Sequence, residues 1–554
     1  MKITKIEIEN YKSIEKLAFN TSDQINIFIG ENSVGKSNIF DAITWLLGPV
    51  YPSFNSTQPQ DRFNGKDENE IKIRLTIDDG NYLELAETWT DPYSRPKTGL
   101  NLSGNYINDI DRQRYCSAYV GVDRAIMDYL PSNRWSLLGR ILREINELFK
   151  QEEVVDEETG EVISKPEYFK RELETLRDDI LFSVKDRHGN DIMKKFVEIL
   201  QVESAKQLNR EETEFSVDLN LYDPWNFYRT LQLIVHESDT ALSFQASNLG
   251  MGVQASISIA VLKAYAQLKL NNNTPLFIDE PELFLHPHAQ LNFNNVLREL
   301  AESGTQIFIT THSPIFLSVG HFNEICLVRK TGEHGTYIRQ GIPQKFVQDL
   351  KIRKNIDTNP DDLMEHYRSI YDFTGDTRKA NEAFFAKKII LVEGQSEGLI
   401  LPYFFELANF DFIGKGISIV RCGDKGQIDA FYRLYSEFGI PCYIIFDGDK
   451  QNQGTEDVAN TINKNHDLIG IFDEVVDFPS TGVKDNYLVF ETTLEDNLGF
   501  VVGRDVKGLK LYRKVKDEIN TKEQLPDWVE QIIGKIEALP ETAISILKTE
   551  ENNG

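Results

Sequence analysis

The chain has 554 residues, enough for roughly three to four units of ~150 residues each. Its hydrophobic content of 40% and charged content of 27% are those of an ordinary globular protein, and no run approaches ~18 consecutive apolar residues, so no membrane span is expected. The net charge of −27 argues against a protein that coats nucleic acid without selectivity, because phosphate binding rests on Lys and Arg; it leaves room for a local basic groove, such as KGLKLYRKVK at 507–516.

The first residues, MKITKIEIENYKSIEKL, alternate polar and apolar like a strand and lack the apolar stretch of a secretory signal. Cys116, Cys326, Cys422 and Cys442 have no paired spacing, so neither a disulfide framework nor a zinc site is indicated. A reducing, cytoplasmic setting is expected.

Strands are expected at 4–10 (TKIEIEN) and 24–29 (QINIFI). GENSVGKSN follows at 30–38 and leads into the helical pattern NIFDAITWLLG. Strand, G-x4-G-K-S loop and helix together predict a phosphate cradle built from loop N–H groups and a helix N-terminus. Gly30, Asn32, Gly35, Lys36, Ser37 and Asn38 are its candidate nucleotide-binding residues. Lys36 reaches the outer phosphates and Ser37 binds Mg²⁺ through its hydroxyl.

The stretch 125–235 reads as mostly helical, with RWSLLGRILREINELFKQEEVV and EYFKRELETLRDDILFSVKD on either side of a polar turn or small hairpin, VVDEETGEVISKP. It is expected to be an insertion that packs against a partner subunit. At 243–265, SFQASNLGMGVQASISIAVLKAY places Ser247, Gly250 and Gly252 before an amphipathic helix, a second glycine-rich anion site. TPLFIDEPELFLHP at 274–287 is an apolar strand ending in Asp279, a candidate Mg²⁺ ligand, and Glu280, a candidate general base. TQIFITTHSP ends in His312, where a γ-phosphate sensor would sit.

The order of these motifs resembles the ABC-type ATPases, in particular the branch containing chromosome-maintenance and recombination ATPases. The resemblance implies that ATP is sandwiched between two heads, with the glycine turn at Ser247, Gly250 and Gly252 reaching the partner's nucleotide, and hence a homodimer or higher homo-oligomer. STQPQDRF at 56–63 is the candidate glutamine loop.

A charged, helix-prone stretch at 346–384 reads as a connector. KIILV then delivers Glu393 and Gly394, with Glu397 one turn into the next helix. GISIVRCGDKGQIDAFYRLY adds a strand, a glycine turn and a helix; IPCYIIFDGDK adds a strand that carries Asp447 and Asp449. Strands alternating with helices predict a parallel sheet with acids at its C-terminal edge, where such folds place ligands. Carboxylates with no histidine or cysteine nearby suit hard ions, Mg²⁺ or Mn²⁺.

V-E-G…D-x-D resembles the Toprim domain. An ABC ATPase followed by Toprim is the layout of the OLD (overcoming lysogenization defect) nucleases, a family that includes the nuclease subunit of the Gabija defence system; FFAKKIILVEGQSE is especially similar. The resemblance implies metal-dependent cleavage of DNA, a role against phage, and a defence partner encoded nearby. It implies metal ligation by Glu393, Glu397, Asp447 and Asp449, with a further acid from Glu491, Glu495 or Asp496, Glu495 preferred. It also implies a charge-neutralising lysine, Lys510, with Lys507 and Lys514 as alternatives. The expected class is therefore α/β: residues 1–124 and 236–345 an ABC-type ATPase head, 125–235 its helical insertion, 346–384 the connector and 385–554 the Toprim domain. The competing expectation is an ATP-dependent sensor whose Toprim domain is degenerate and which recruits a separate effector.

Overall fold

The computed structural model describes residues 1–48, 51–108, 112, 115, 117–120, 137–156, 160–176, 179, 183–185, 189, 191–192, 195–196, 198–199, 202, 234–237, 242–245, 257, 260–261, 275–283, 285–373, 376–500 and 508–548. Residues 1–117 with 273–554 form one compact unit and 118–272 another. In the second unit the helix Leu137–Gln151 is followed by an antiparallel pair, Glu153–Val155 with Val162–Ser164, and by the helix Lys165–Leu176. The two helices and the small hairpin expected there are thus present. Ser247, Gly250, Gly252 and Lys507 lie outside the described residues.

The larger unit begins with two kinds of strand. Ile25–Ile29, Leu276–Asp279 and Ile307–Thr310 are buried at every position. Continuous apolar runs of that kind form parallel strands covered on both faces, and these pair in parallel, with Ile25–Ile29 between Ile307–Thr310 and Ile325–Thr331. Ile3–Tyr11, Ile14–Asn20 and Lys72–Ile77 instead alternate buried and open, as strands with one solvated face do, and they pair antiparallel. Gly335–Gln340 pairs with Ile325–Thr331 on one side and with Ile14 on the other, joining both layers into one sheet. The helix Lys36–Leu47 places Ile39, Phe40, Ile43, Leu46 and Leu47 inward, at helical spacing. Phe40 meets Phe28 and Phe277 edge-on beneath the phosphate loop.

The second sheet of this unit runs Ile417–Arg421, Lys388–Val392, Cys442–Asp447, Tyr487–Phe490, all parallel, with Gly482–Val483 antiparallel at its edge. The chain leaves Lys388–Val392 for the strand on one side and returns to the strand on the other. That reversal makes a crevice at the C-terminal ends of Lys388–Val392 and Cys442–Asp447.

The segment between the sheets is built into both. Pro343–Lys354 docks on the helix Lys425–Glu437 through a buried charge network: Arg433 reaches Asp349 at 3.3 Å and Asp429 at 2.8 Å, and Arg353 reaches Asp429 at 3.1 Å. Asn381, on the helix Thr377–Glu382, donates to the main-chain oxygens of Pro314 at 3.1 Å and Leu317 at 2.7 Å. Phe384 packs edge-on against Tyr435 and Phe438.

Candidate functional site

Three strand ends meet at the C-terminal edge of the first sheet. The loop after Ile25–Ile29 carries Gly30 to Gly35 and opens the helix at Lys36. Gly35 has φ +108°, and a Cβ there would overlap the hydroxyls of Thr336 and Ser13. Both the backbone and the space therefore require glycine. Those hydroxyls brace the loop. Asn38 donates to Ser13 Oγ at 2.7 Å, Ser13 Oγ lies 2.7 Å from Thr336 Oγ1, and Thr336 donates to Val34 O at 2.7 Å. Asn38, predicted to bind nucleotide, thus directs its amide to the loop's support. Asn32 and Ser37 are exposed.

Lys36 is buried and donates to Gly30 O at 2.9 Å and Glu31 O at 3.0 Å. Burial lowers its pKa, against the pull of Glu280, Asp279 and Glu282. Asp279 is buried at its strand end and accepts from the Thr310 hydroxyl. Glu280 follows at φ 45°, a left-handed backbone that is rare for glutamate, with its N–H 3.0 Å from Thr310 O. Its Oε1 lies 3.9 Å from His312 Nε2. Burial, then Lys36, keeps the His312 pKa below the ordinary value, so the neutral ring is favoured. Glu282, which the sequence did not single out, fixes this corner by accepting from His312 N at 2.6 Å and Thr311 Oγ1 at 2.8 Å. The structure therefore brings Lys36, Asp279, Glu280 and His312 to one edge. Gln58 and Gln60 are exposed on short turns at 54–65.

The second site is the crevice of the second sheet. Glu393 and Asp447 stand at the ends of adjacent strands. Gly448 separates Asp447 from Asp449, and a Cβ there would come within 2.9 Å of the main-chain oxygens of Phe490 and Glu491. Asp447 accepts from Leu494 N at 3.0 Å through Oδ1. Glu393 Oε2 is buried with no hydrogen-bond partner among the described residues. Burial, then Glu397 and Asp449, push Glu393 up to about 7. Burial, then Glu397, Glu393, Asp449 and Glu495, push Asp447 well above the usual carboxylate range. The acids therefore share one electrostatic environment.

Glu397 accepts from Gly394 N at 3.1 Å, and Glu495 accepts from the Ser396 hydroxyl at 3.0 Å. Glu495 is buried, whereas Glu491 pairs with Lys450 and Asp496 is exposed. Of the three candidates for the further acid, Glu495 is thus the one held against the cluster. Ser396 also accepts from Gly508 N at 3.2 Å, which ties in the helix Leu509–Glu518. Lys510 and Lys514 are exposed on that helix.

The residue that sequence reasoning missed is Lys425, inside the stretch GDKGQ. It is 2% exposed and donates to Asp447 O at 2.6 Å and to Asp449 Oδ2 at 2.5 Å. The only signal was a lysine opening a helix beside a glycine turn.

Among the described residues no three acidic, histidine or cysteine side chains are already set around a common point as a metal cage. The donor set nevertheless fits a hard divalent ion. It is all oxygen, it carries mutually repelling charge, and it includes the orphaned Glu393 Oε2. No described helix is long and apolar enough to cross a membrane.

Known proteins resemble this chain over most of its length. The OLD nuclease of Thermus scotoductus is 25% identical over 470 residues, covering 81% of this chain and 82% of that protein. The Old nuclease of Escherichia phage P2 is 25% identical over 499 residues, covering 81% and 77%. Endonuclease GajA of Bacillus cereus is 25% identical over 315 residues, covering 52% and 42%. The AAA ATPase domain family matches residues 1–92 and 50–317, and the OLD-like TOPRIM domain matches 384–449, the stretch holding Glu393, Glu397, Lys425, Asp447 and Asp449. The chain belongs to this AAA ATPase family and, with its C-terminal TOPRIM domain, is a homologue of the OLD nucleases and of the GajA endonuclease.

Proposed function

We propose that this chain binds and hydrolyses ATP and cuts DNA, by nicking or double-strand cleavage, with Mg²⁺ or Mn²⁺ at the TOPRIM crevice, in defence against phage. The observation that carries the reading is the set of acids at the strand reversal. Glu393 and Asp447 sit on adjacent strand ends with pKa values raised by burial and then by neighbouring carboxylates, Glu397 first among them. Such an arrangement stores unfavourable charge that a divalent ion relieves.

In this reading Glu393, Glu397, Asp447, Asp449 and Glu495 form the ligand set for one or two divalent ions. A bound divalent ion supplies an activated water and stabilises the leaving oxygen. Ser396 orients Glu495, and the exposed Lys510 and Lys514 bring positive charge to a substrate phosphate. At the other site Lys36 neutralises ATP phosphates, Ser37 and Asp279 hold Mg²⁺, Glu280 orients and deprotonates the attacking water, and His312 senses the terminal phosphate. The glycine turn at Ser247, Gly250 and Gly252 completes the partner's site, so the working form is a homodimer or larger homo-oligomer in the cytoplasm, with a further defence protein as a partner.

Plasmid nicking tests the reading. Wild-type protein with Mg²⁺ or Mn²⁺ should convert supercoiled DNA to open circles or linear product, while Asp447→Ala should not and should still hydrolyse ATP. A variant that cuts at the wild-type rate removes the crevice from the mechanism. A wild type that hydrolyses ATP and never cuts supports the sensor alternative.

A further inference from the structure

The acidic cluster contains two kinds of carboxylate oxygen. Glu393 Oε2 is buried without a donor. Asp447 accepts from Leu494 N through Oδ1, and its Oδ2 makes no hydrogen bond among the described residues. Asp449 is different. Its Oδ2 takes the Lys425 ammonium at 2.5 Å and its Oδ1 takes Gln451 Nε2 at 3.0 Å, so both oxygens already have donors.

Lys425 is held in place by its surroundings. It is the first residue of the helix Lys425–Glu437, whose N-cap Asp424 accepts from Gly426 N. Its side chain is 3% exposed and also donates to Asp447 O at 2.6 Å. The same ammonium therefore touches the main chain of one acid and the side chain of the next. The left-handed φ of 54° at Asp449 belongs to this arrangement.

We infer that Lys425 is a resident cation of the cluster, which leaves Glu393 and Asp447 to take one divalent ion tightly and admits a second ion at Asp449 only when Lys425 is displaced. The inference rests on the metal-nuclease reading above and adds to it a number of ions and a residue that sets that number. The physical basis is charge. A dication approaching Asp449 meets the buried Lys425 ammonium a few ångströms away, and like charges at that range repel strongly where water is largely excluded. A dication at Glu393 and Asp447 meets two carboxylates that each have an oxygen engaged by no donor among the described residues. Lys425 thus makes the two halves of the site unequal, although sequence alone gives them equivalent acids.

The test is a count of ions on the full-length protein without nucleotide, by titration calorimetry and by electron paramagnetic resonance of free Mn²⁺. The TOPRIM ion is defined as the one lost in Asp447→Asn. Wild type should show one tight Mn²⁺ of this kind. Lys425→Met should show two, the second tightened by about tenfold or more over wild type. Lys425→Arg should keep the wild-type count, and Asp449→Asn should keep the tight ion within about threefold. Two equally tight ions in wild type, or an unchanged count in folded Lys425→Met, would overturn the inference while leaving the nuclease reading intact. Should Lys425→Met fail to fold, Asp449→Asn decides, because loss of the tight ion there also overturns it. A wild type that binds no ion dependent on Asp447 overturns both.

Discussion

Arg433 and Asp349 meet at 3.3 Å with 6% and 2% of their side chains exposed, although 84 residues of chain separate them. Asp349 also accepts from Arg353 at 3.3 Å and from Lys548 N at 3.0 Å, so one carboxylate serves two guanidiniums and a backbone donor. Removing one member of a buried ionic network leaves the others desolvated and unpaired. Asp349→Ala should therefore cost about 3–5 kcal/mol, read as a lower denaturant midpoint in equilibrium unfolding. A change within about 0.5 kcal/mol would show that water reaches the network.

Glu280 combines a left-handed backbone with the proposed role of general base. Glu280→Gln keeps the shape and removes the base, so ATP should still bind while turnover falls by about 10²–10⁴-fold in a steady-state phosphate-release assay. Glu280→Gly should be equally slow yet melt no lower than wild type, because glycine accepts φ 45° without strain. Wild-type turnover in Glu280→Gln would remove Glu280 from the mechanism.

Lys36→Ala should weaken ATP binding by at least about tenfold, since Lys36 is the only lysine in the loop. If Gly252 acts on the nucleotide of a second chain, mixing Lys36→Ala with Gly252→Asp should restore hydrolysis that neither variant has alone. Full activity from a protein that light scattering shows to be monomeric would exclude a shared site.

The pH dependence follows from Glu393. Its carboxyl titrates near 7 in the folded chain against an ordinary 4.5. The folded state then binds more protons than the unfolded state between those values, so this group's contribution falls as pH rises from about 4.5 to 7. A divalent ion reverses the effect, because it needs the carboxylate free. The rise in melting temperature on adding Mn²⁺ should be larger at pH 8 than at pH 6, with Mn²⁺ affinity falling toward tenfold per pH unit below about 7. The same rise at both pH values would mean that Glu393 does not meet the ion. Glu393→Gln should flatten the dependence.

Much of this was legible in the chain. Predominantly apolar runs such as INIFI and LFID form buried parallel strands, and alternation in ITKIEIENY forms a strand with one open face. Both reflect local periodicity, which sequence carries directly. The acids Glu393, Asp447 and Asp449 were legible because strand ends in parallel sheets share an edge. Lys425 was not, because its destination depends on a helix N-terminus laid across two other strands. Asn38 reads as a nucleotide ligand from its place in the loop, and its hydrogen bond to Ser13, 25 residues earlier, is a long-range contact that local sequence does not carry. The charges at 346–384 read as a helix-prone connector, and the pairing of Asp349 and Arg353 with Arg433 and Asp429 is a long-range fact that local sequence does not carry. Ser247, Gly250 and Gly252 fall outside the described residues, so the glycine turn still rests on motif order.

The way Pro343–Phe385 is built into both sheets dictates where the protein can be cut. A C-terminal fragment starting at Phe385, the boundary expected from the sequence, would strip Phe384 from Tyr435 and Phe438 and leave Arg433 with Asp429 but without Asp349. That fragment would present two large aromatic rings and a formerly buried charge to water, the surface of an aggregating species. A fragment that begins before Pro343 keeps those partners, although it parts Asn381 from Pro314 and Leu317. The boundary for expressing the nuclease half by itself therefore lies more than forty residues upstream of its first strand, Lys388–Val392, ahead of what reads as connector.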